Sequence, residues 1–510
     1  MIWATTIFFS IVTATVVYLL LMSIYQLVLL VIYRATRGPD PRPGEKFDES
    51  QLPTVTVQLP VYNEGPLARQ CLSLAAELDW PADKLQIQYL DDSDDEITTQ
   101  VARETIEELQ RERPNLQIQI LKRGGRTGFK AGALKYGTER ATGEFLAIFD
   151  ADFLIPRDFL RKTMHYFTDP AIGIVQARWD YTNHEVSLFC RLQANKLDIH
   201  QMAEQTARAR VGLQAIFHGT AGIWRASTLA AAGGWDCLSE VEDVELTIRA
   251  ANAGHTMIYL DHLRIASELP ETMIGYIRQQ MRWKRGWIRL ARHYSRMILA
   301  GEASWLSKLD LLQRIHMCWG SACALVMTLA VLPYFMAANT LKLTGPAIGL
   351  YVISLLISLL TRVLEERTLK QDPMARPAMR MPRLLRWLPF GYLMNLGMVW
   401  PLTQATFEGF RPGQIWEVTP KSGTTAGSVG HHGETGRKKL PMYAIGTLIV
   451  GGLGGLLGVA SLALGHPLAA FFYAILVVGC GWIGFAVVHE LRPGWFDSGK
   501  TENTGGESRA

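Results

Sequence analysis

The sequence predicts an α/β domain, built on a doubly wound and mainly parallel sheet, joined to an α-helical transmembrane region. Two observations indicate this architecture. Strand-like and helix-like segments alternate between residues 52 and 150, which is typical of a parallel sheet covered by helices. Uncharged segments lie on both sides of this region, and several are long enough to cross a bilayer, which needs about 20 residues.

Composition limits the possible classes of protein. A chain of 510 residues is too long for one ordinary hydrophobic core, so we expect two or more units. The formal net charge of +4 does not by itself indicate a partner. The six cysteines form no Cys-x-x-Cys pair and no finger spacing, which indicates reduced thiols in a cytosol-facing or membrane-embedded protein.

The first transmembrane helix is predicted within residues 1–33, because residues 2–33 carry no formal charge. A secretory signal is disfavoured, since the apolar run is too long and no basic segment precedes it. Basic residues follow directly at Arg34, Arg37, Arg42 and Lys46. By the positive-inside rule they stay in the cytoplasm and place the amino terminus outside. Residues 34–51, rich in Pro, Gly and charge, are the predicted linker.

The α/β domain is predicted over residues 52–275. Its first strands are expected at 54–59, 85–90, 116–121 and 145–149, with helices at 67–78 and 97–109. Paired carboxylates follow two of these strands, Asp91 with Asp92 and Asp150 with Asp152. Ligands of open α/β sheets bind beyond the carboxyl ends of the strands, and paired carboxylates suit Mg²⁺ or Mn²⁺. A lone Asp-x-Asp would more often be a polar turn that caps a helix.

A series of motifs in order resembles glycosyltransferase family 2 with the GT-A fold, in its cellulose-synthase-like branch. The motifs lie at residues 57–64, 91–93, 130–134, 150–152, 217–225, 242–243 and 279–283. Together they cover roughly residues 50 to 290. The run at 217–225 is similar to glucomannan and mannan synthase-like proteins, which have Asn in place of His218.

The resemblance implies a role for each carboxylate. It implies that Asp91, Asp92 and Lys130 bind the nucleotide sugar. Asp150 would contact both the nucleotide sugar and a divalent cation, Mg²⁺ or Mn²⁺, which Asp152 also holds. Asp243 would be the general base, with Glu242 beside it in the catalytic pair. The alternative for this pair is an acidic helix N-terminus favoured by the macrodipole.

Residues 279–283 resemble the Gln-x-x-Arg-Trp signature of processive members. The resemblance implies that Gln279 and Arg282 contact the nucleotide sugar, while Trp283 stacks on the acceptor sugar. The alternative is a basic helix on the membrane surface, because residues 278–296 contain seven Lys or Arg and no acid. The signature and the membrane-surface helix are compatible, because the site can lie against the bilayer. Interfacial amphipathic helices are therefore predicted at 276–305. Nucleic-acid binding is disfavoured by the neighbouring membrane segments.

The carboxyl-terminal part is predicted to contain two transmembrane hairpins, at residues 315–361 and 441–489. Between them lies a cytoplasmic region at 362–440, and residues 490–510 form a cytoplasmic tail. Residues 416–421 resemble the gating loop of cellulose synthases, with Trp416 in place of Phe. That implies nucleotide contacts from Thr419 and Lys421. Because such a loop must be cytoplasmic, residues 387–407 are predicted to be interfacial or re-entrant.

The sequence therefore predicts an integral membrane hexosyltransferase with a cytoplasmic catalytic domain, in the plasma or inner membrane. It would polymerise a hexose from UDP-glucose or GDP-mannose, with inversion and processively, into a β-linked polysaccharide, coupled to translocation. The expected partners are a nucleotide-sugar donor, a growing glycan or lipid acceptor, and membrane lipids. The alternatives are a single-transfer glycolipid synthase resembling ceramide glucosyltransferase, and a non-catalytic scaffold, which would require lost carboxylates.

Overall fold

The computed structural model describes residues 2–36, 38–237, 240–341, 345–371, 384–413 and 440–491. Its catalytic domain is built on one seven-stranded sheet in the order β3-β2-β1-β4-β6-β5-β7. The strands are β1 (Val55–Val61), β2 (Leu85–Asp91), β3 (Gln117–Lys122), β4 (Phe145–Ile148), β5 (Ile172–Tyr181), β6 (Gly222–Arg225) and β7 (Thr256–Ser267). Only β6 runs antiparallel to its neighbours, so the predicted doubly wound, mainly parallel sheet is confirmed.

Helices cover both faces of this sheet. After the amino-terminal α1 (Ile2–Thr36) the domain contains α2 (Leu67–Ala76), α3 (Glu96–Glu112), α4 (Phe129–Thr138), α5 (Phe159–Thr163), α6 (Leu188–Asp198), α7 (Thr206–Arg210), α8 (Ala226–Ala231) and α9 (Glu242–Asn252). A π-helical segment, Ile199–Gln205, joins α6 to α7. Strands β1, β2 and β4 are buried along their whole length, as expected for strands covered on both faces.

The remaining helices follow the domain in the chain and include the carboxyl-terminal membrane-length segments. They are α10 (Met273–Ala300), α11 (Trp305–His316), α12 (Gly320–Leu341), α13 (Gly345–Gln371), α14 (Leu384–Gly397), α15 (Val399–Glu408), α16 (Met442–Ala463) and α17 (Pro467–Leu491). Four segments in the described part of the chain are long and apolar enough to cross a membrane: Thr6–Thr36, Trp305–Tyr334, Met442–Ala463 and Pro467–Leu491. Helix α13 overlaps the second half of the hairpin predicted at 315–361, and α14 with α15 cover the segment predicted as re-entrant.

Helix α10 packs against both parts of the molecule. Its first half buries Tyr276 and Met281 in an apolar cluster with Met394 and Ile483, from α14 and α17. Its second half shares another cluster with Val244 of α9. The interfacial location of residues 276–305 stays a prediction, but much of this helix is covered by protein.

Candidate active site

A cleft of about 310 Å³ lies at the carboxyl ends of β1 and β4, where the parallel strands meet the helix termini. Nine of the side chains singled out by sequence line it: Asp92, Lys130, Asp150, Asp152, Glu242, Asp243, Gln279, Arg282 and Trp283. They come from five separate stretches of the chain. Thr419 and Lys421, together with the gating-like loop at 416–421, lie outside the described residues.

The two neighbouring carboxylates after β2 have different surroundings. Asp91 is 1% exposed and does not line the cleft; its oxygens accept hydrogen bonds from Ser93 N at 2.9 Å and Thr99 Oγ1 at 2.7 Å. Asp92 lines the cleft and accepts two hydrogen bonds from Arg123, at 2.7 and 2.6 Å. Asp91 therefore stabilises the loop between β2 and α3, whereas Asp92 faces the ligand side of the sheet.

The side chain of Lys130, in α4, contacts the segment that follows β4. Its ammonium donates to Asp150 Oδ1 and, at 2.9 Å, to the carbonyl oxygen of Gly219. Gly219 has φ +79°, and a Cβ there would lie 3.1 Å from Asp243 Oδ2 and 3.6 Å from Lys130 Nζ. A glycine at this turn thus allows the base candidate and the lysine to lie close to the same loop.

The residues present fit a divalent cation. Asp150 and Asp152 both line the cleft, and Asp152 Oδ2 accepts a hydrogen bond from Glu268 N at 3.3 Å. Within the described residues, no group of three His, Cys, Asp or Glu is arranged to enclose a metal. Two carboxylates with water and substrate phosphates completing the shell is the usual arrangement for Mg²⁺, and these hard oxygen donors equally suit Mn²⁺.

Glu242 and Asp243 begin α9, where acidic side chains interact favourably with the helix dipole. The helix-terminus interpretation of this pair is therefore compatible with a catalytic one. Burial raises the pKa of Asp243 to about 7, and the charge of Glu242 adds to that effect. Burial also raises the pKa of Glu242, against the opposing charges of Lys130 and Arg282. A carboxylate with a pKa near neutrality is well matched to proton transfer.

Helix α10 contributes Gln279, Arg282 and Trp283 to the opposite wall. Burial lowers the pKa of Arg282, while the charges of Glu242 and Asp150 counteract this and favour the guanidinium. Trp283 packs on the apolar cluster that includes Val241 and contributes part of its surface to the cleft. The cleft therefore contains cationic side chains beside the carboxylates, together with one aromatic side chain from α10.

Other lining residues were not singled out by sequence. Arg126 stacks on Tyr62, with its guanidinium carbon 3.2 Å from the ring centroid, and supplies a further cation. The basic, glycine-rich run at 123–128 is the signal that could have indicated Arg126. Trp179 and His200 also line the cleft, next to His218 of the 217–225 motif. No local pattern indicates His200, because its position depends on the π-helical turn at Ile199–Gln205.

The chain matches the family described as "Glycosyltransferase like family 2" over residues 53–286. It is 31% identical over 444 residues to glucomannan 4-beta-mannosyltransferase 2 of Arabidopsis thaliana, covering 83% of this chain and 79% of the relative. It is 33% identical over 386 residues to "Probable glucomannan 4-beta-mannosyltransferase 2" of Oryza sativa subsp. japonica, covering 73% of this chain. The match spans 63% of that rice relative.

A second rice relative, "Probable glucomannan 4-beta-mannosyltransferase 4", is 39% identical over 249 residues, which is 45% of its length. Among solved structures, the mannosyltransferase PcManGT from Pyrobaculum calidifontis, in complex with GDP-Man and Mn²⁺, has the same fold with a TM-score of 0.50. The two chains are 23% identical, and the match covers 69% of this chain and 96% of that one.

Proposed function

This chain belongs to glycosyltransferase family 2, and from that premise we propose that it is a membrane-embedded inverting hexosyltransferase. It polymerises a hexose from GDP-mannose or UDP-glucose into a β-linked polysaccharide. The observation that carries the proposal is one cleft in which Lys130, Asp150, Asp243 and Arg282 lie together. The relatives named glucomannan 4-beta-mannosyltransferases support GDP-mannose as the first donor to test.

The donor diphosphate binds at the charged end of the cleft. Lys130, Arg126 and Arg282 supply positive charge there, and the planar guanidinium groups suit phosphate oxygens. Asp150 and Asp152 would hold Mg²⁺ or Mn²⁺, which would neutralise charge on the departing diphosphate. PcManGT, whose complex contains GDP-Man and Mn²⁺, supports this assignment.

Inverting transfer needs one general base, and we assign it to Asp243. Its carboxylate accepts the proton of the attacking acceptor hydroxyl while the bond to the diphosphate breaks. Because the pKa of Asp243 is raised to about 7, a large fraction of the base form is present at neutral pH and its affinity for a proton is still substantial. Glu242 contributes to that elevation through its charge.

The acceptor lies between Asp243 and the aromatic wall. Trp283 offers a flat apolar face to a pyranose ring, and it belongs to the same helix as Arg282. Helix α10 also packs on α14 and α17. This continuity between the site and the membrane helices supports extension of a glycan and its transfer across the bilayer. In this arrangement the catalytic domain is cytoplasmic and the amino terminus lies outside.

The decisive experiment supplies the purified protein, in proteoliposomes, with donor and Mn²⁺ or Mg²⁺ but no lipid acceptor. The expected product is a long β-linked chain that an external glycanase can digest, with nucleotide release far exceeding the amount of enzyme. Asp243→Asn proteoliposomes are the matched control. A product that carries one sugar, and forms only when a lipid acceptor is added, would instead establish a glycolipid synthase.

A further inference from the structure

Gln205, the last residue of the π-helical segment Ile199–Gln205, connects two histidines of the cleft wall. Its Oε1 accepts a hydrogen bond from the backbone N–H of Ile216 at 3.1 Å. Its Nε2 lies 3.3 Å from His200 Nε2 and 3.0 Å from His218 Nε2. Because a backbone N–H can only donate, the orientation of the carboxamide is determined, and its NH₂ group donates to both imidazoles.

This contact determines the tautomers of both rings. If both Nε2 atoms accept, each neutral imidazole carries its proton on Nδ1. For His200 a second contact agrees, since its Nδ1 lies 3.1 Å from Glu204 Oε2 and can donate to it. Burial, with the charge of Arg314, holds the pKa of His218 well below its usual value, so this ring is neutral.

The Nδ1–H of His218 is then a donor for which the described part of the chain provides no acceptor. Among the described residues, neither His218 Nδ1 nor Trp179 Nε1 has a hydrogen-bond partner, although both nitrogens are buried. The centroids of the two rings are 5.4 Å apart, the ring planes are inclined at 69°, and both residues line the cleft. Buried donors normally have partners, so this pair of N–H groups indicates an acceptor atom on a bound ligand.

The chemistry of the pair favours a sugar over a phosphate. Both donors are neutral and belong to aromatic rings, whereas phosphate oxygens are better matched by the cationic Lys130 and Arg282. A sugar hydroxyl oxygen can accept two hydrogen bonds, one from each ring. A water molecule offers the same acceptor chemistry, so a test of this site has to distinguish a sugar hydroxyl from a bound water.

We propose that Gln205 is a positioning residue that holds His218 in its Nδ1–H tautomer, so that His218 and Trp179 together bind a hydroxyl oxygen of a sugar in the cleft. The inference rests on the proposed function, because it assumes a carbohydrate substrate. The sugar is either the hexose of the donor or the terminal residue of the acceptor. Separate binding measurements with each ligand identify which.

The test compares His218→Leu with His218→Asn in equilibrium binding of GDP-mannose and of a short β-1,4-linked mannan oligosaccharide. Removal of one neutral hydrogen bond should weaken binding of one of these ligands about 3- to 10-fold in His218→Leu. His218→Asn should recover most of that loss, because an amide can still donate. Binding rather than turnover is measured, so a failure of the proposed polymerisation does not decide the result.

Gln205→Glu tests the positioning role. A carboxylate at this position can only accept, so it favours the Nε2–H tautomer of His218 and weakens sugar binding at high pH. It also raises the pKa of His218, against the charge of Arg314 from α11 and beside His200, Glu204 and the Tyr259 ring. The imidazolium carries both protons, so binding by this variant should strengthen relative to wild type as the pH falls from 8 to 6.

The matched control is Gln100→Glu, which adds the same charge on the exposed face of α3 and should bind both ligands as wild type does. Wild-type binding of both ligands by His218→Leu would overturn the inference and leave a bound water as the partner of the two donors. Equal losses in His218→Leu and His218→Asn, with the same pH dependence of binding in Gln205→Glu as in wild type, would equally overturn it in favour of a purely structural role.

Discussion

Glu490, in the last turn of α17, accepts a hydrogen bond from the backbone N–H of Ile274 at 2.9 Å, and a second from Met273. Met273 and Ile274 begin α10, the helix that carries the Gln-x-x-Arg-Trp residues. The first N–H groups of a helix have no partner within it, and a carboxylate there also interacts favourably with the helix dipole. The last membrane-length helix therefore holds the start of the helix that forms one wall of the cleft.

Glu490→Ala should weaken this connection. Loss of an N-terminal helix cap costs about 1 kcal/mol in the free energy of unfolding, so thermal unfolding should begin at a lower temperature. Because α10 carries Arg282, binding of the nucleotide sugar should weaken as well. Both are measurable on detergent-purified protein, with Glu104→Ala on the surface of α3 as the control. Unchanged values for both would exclude a positioning role for Glu490.

Removal of divalent cations should abolish sugar transfer, since in the proposed site a cation joins Asp150 and Asp152 of the cleft to the donor diphosphate. Activity should vanish in excess chelator and return on addition of Mn²⁺ or Mg²⁺. Asp150→Asn should weaken donor binding as well as turnover, because it removes one ligand charge and the partner of Lys130. Full turnover in chelator would contradict the metal assignment.

Asp243→Asn should still bind the nucleotide sugar but lose transfer by roughly 10²–10⁴-fold, the usual contribution of a general base. Glu242→Gln should be milder, because Glu242 acts through its charge. Single-turnover transfer and donor binding, measured on the same preparations, separate the two effects. Transfer near the wild-type rate in Asp243→Asn would assign the base to another residue.

The pH dependence of wild type provides an independent check on the same residue. Only the deprotonated carboxylate can accept the acceptor proton, so kcat/KM should rise with pH and level off above a midpoint of about 7. Burial and the charge of Glu242 cause that elevation, so Glu242→Gln should move the midpoint to lower pH. A wild-type midpoint near the ordinary value of about 4 for Asp would contradict a buried base.

Trp283→Ala should reduce elongation more than hydrolysis of the donor, because stacking positions the acceptor and not the nucleotide. Product length and nucleotide release, measured in the same reaction, provide the comparison. Trp305→Ala, which removes an exposed tryptophan at the start of α11, is the matched control and should leave the ratio unchanged. An equal fall in both activities would place Trp283 in donor binding.

Membrane topology can be tested with single-cysteine labels in intact cells. A label at Gly345 should be accessible from outside, and a label at His431, which lies outside the described residues, should not. Labelling of His431 from outside would make residues 387–407 a membrane span. It would also exclude nucleotide contacts from the gating-like residues Thr419 and Lys421.

Local pattern was sufficient for much of the fold. The first four strands begin and end within two residues of the predicted bounds, because buried strands and amphipathic helices have characteristic periods that neighbouring residues express. Strands β5 to β7 were not assigned, and the antiparallel β6 has only four residues. One cleft is lined by four residues from different motifs, Lys130, Asp150, Asp243 and Arg282. The resemblance of the ordered motifs to one family implies that these residues act at a common site.

The sequence by itself determined the fold class, the membrane-length segments and most of the charged lining of the cleft, since these depend on local periodicity and on motifs. Only the tertiary structure decided that Asp92 faces the cleft while Asp91 is buried. It alone joined Glu490 to Ile274, and Gln205 to His218. Hydrogen-bond partners between distant segments depend on how packed helices and strands meet in space, and periodicity within one segment carries no information about that.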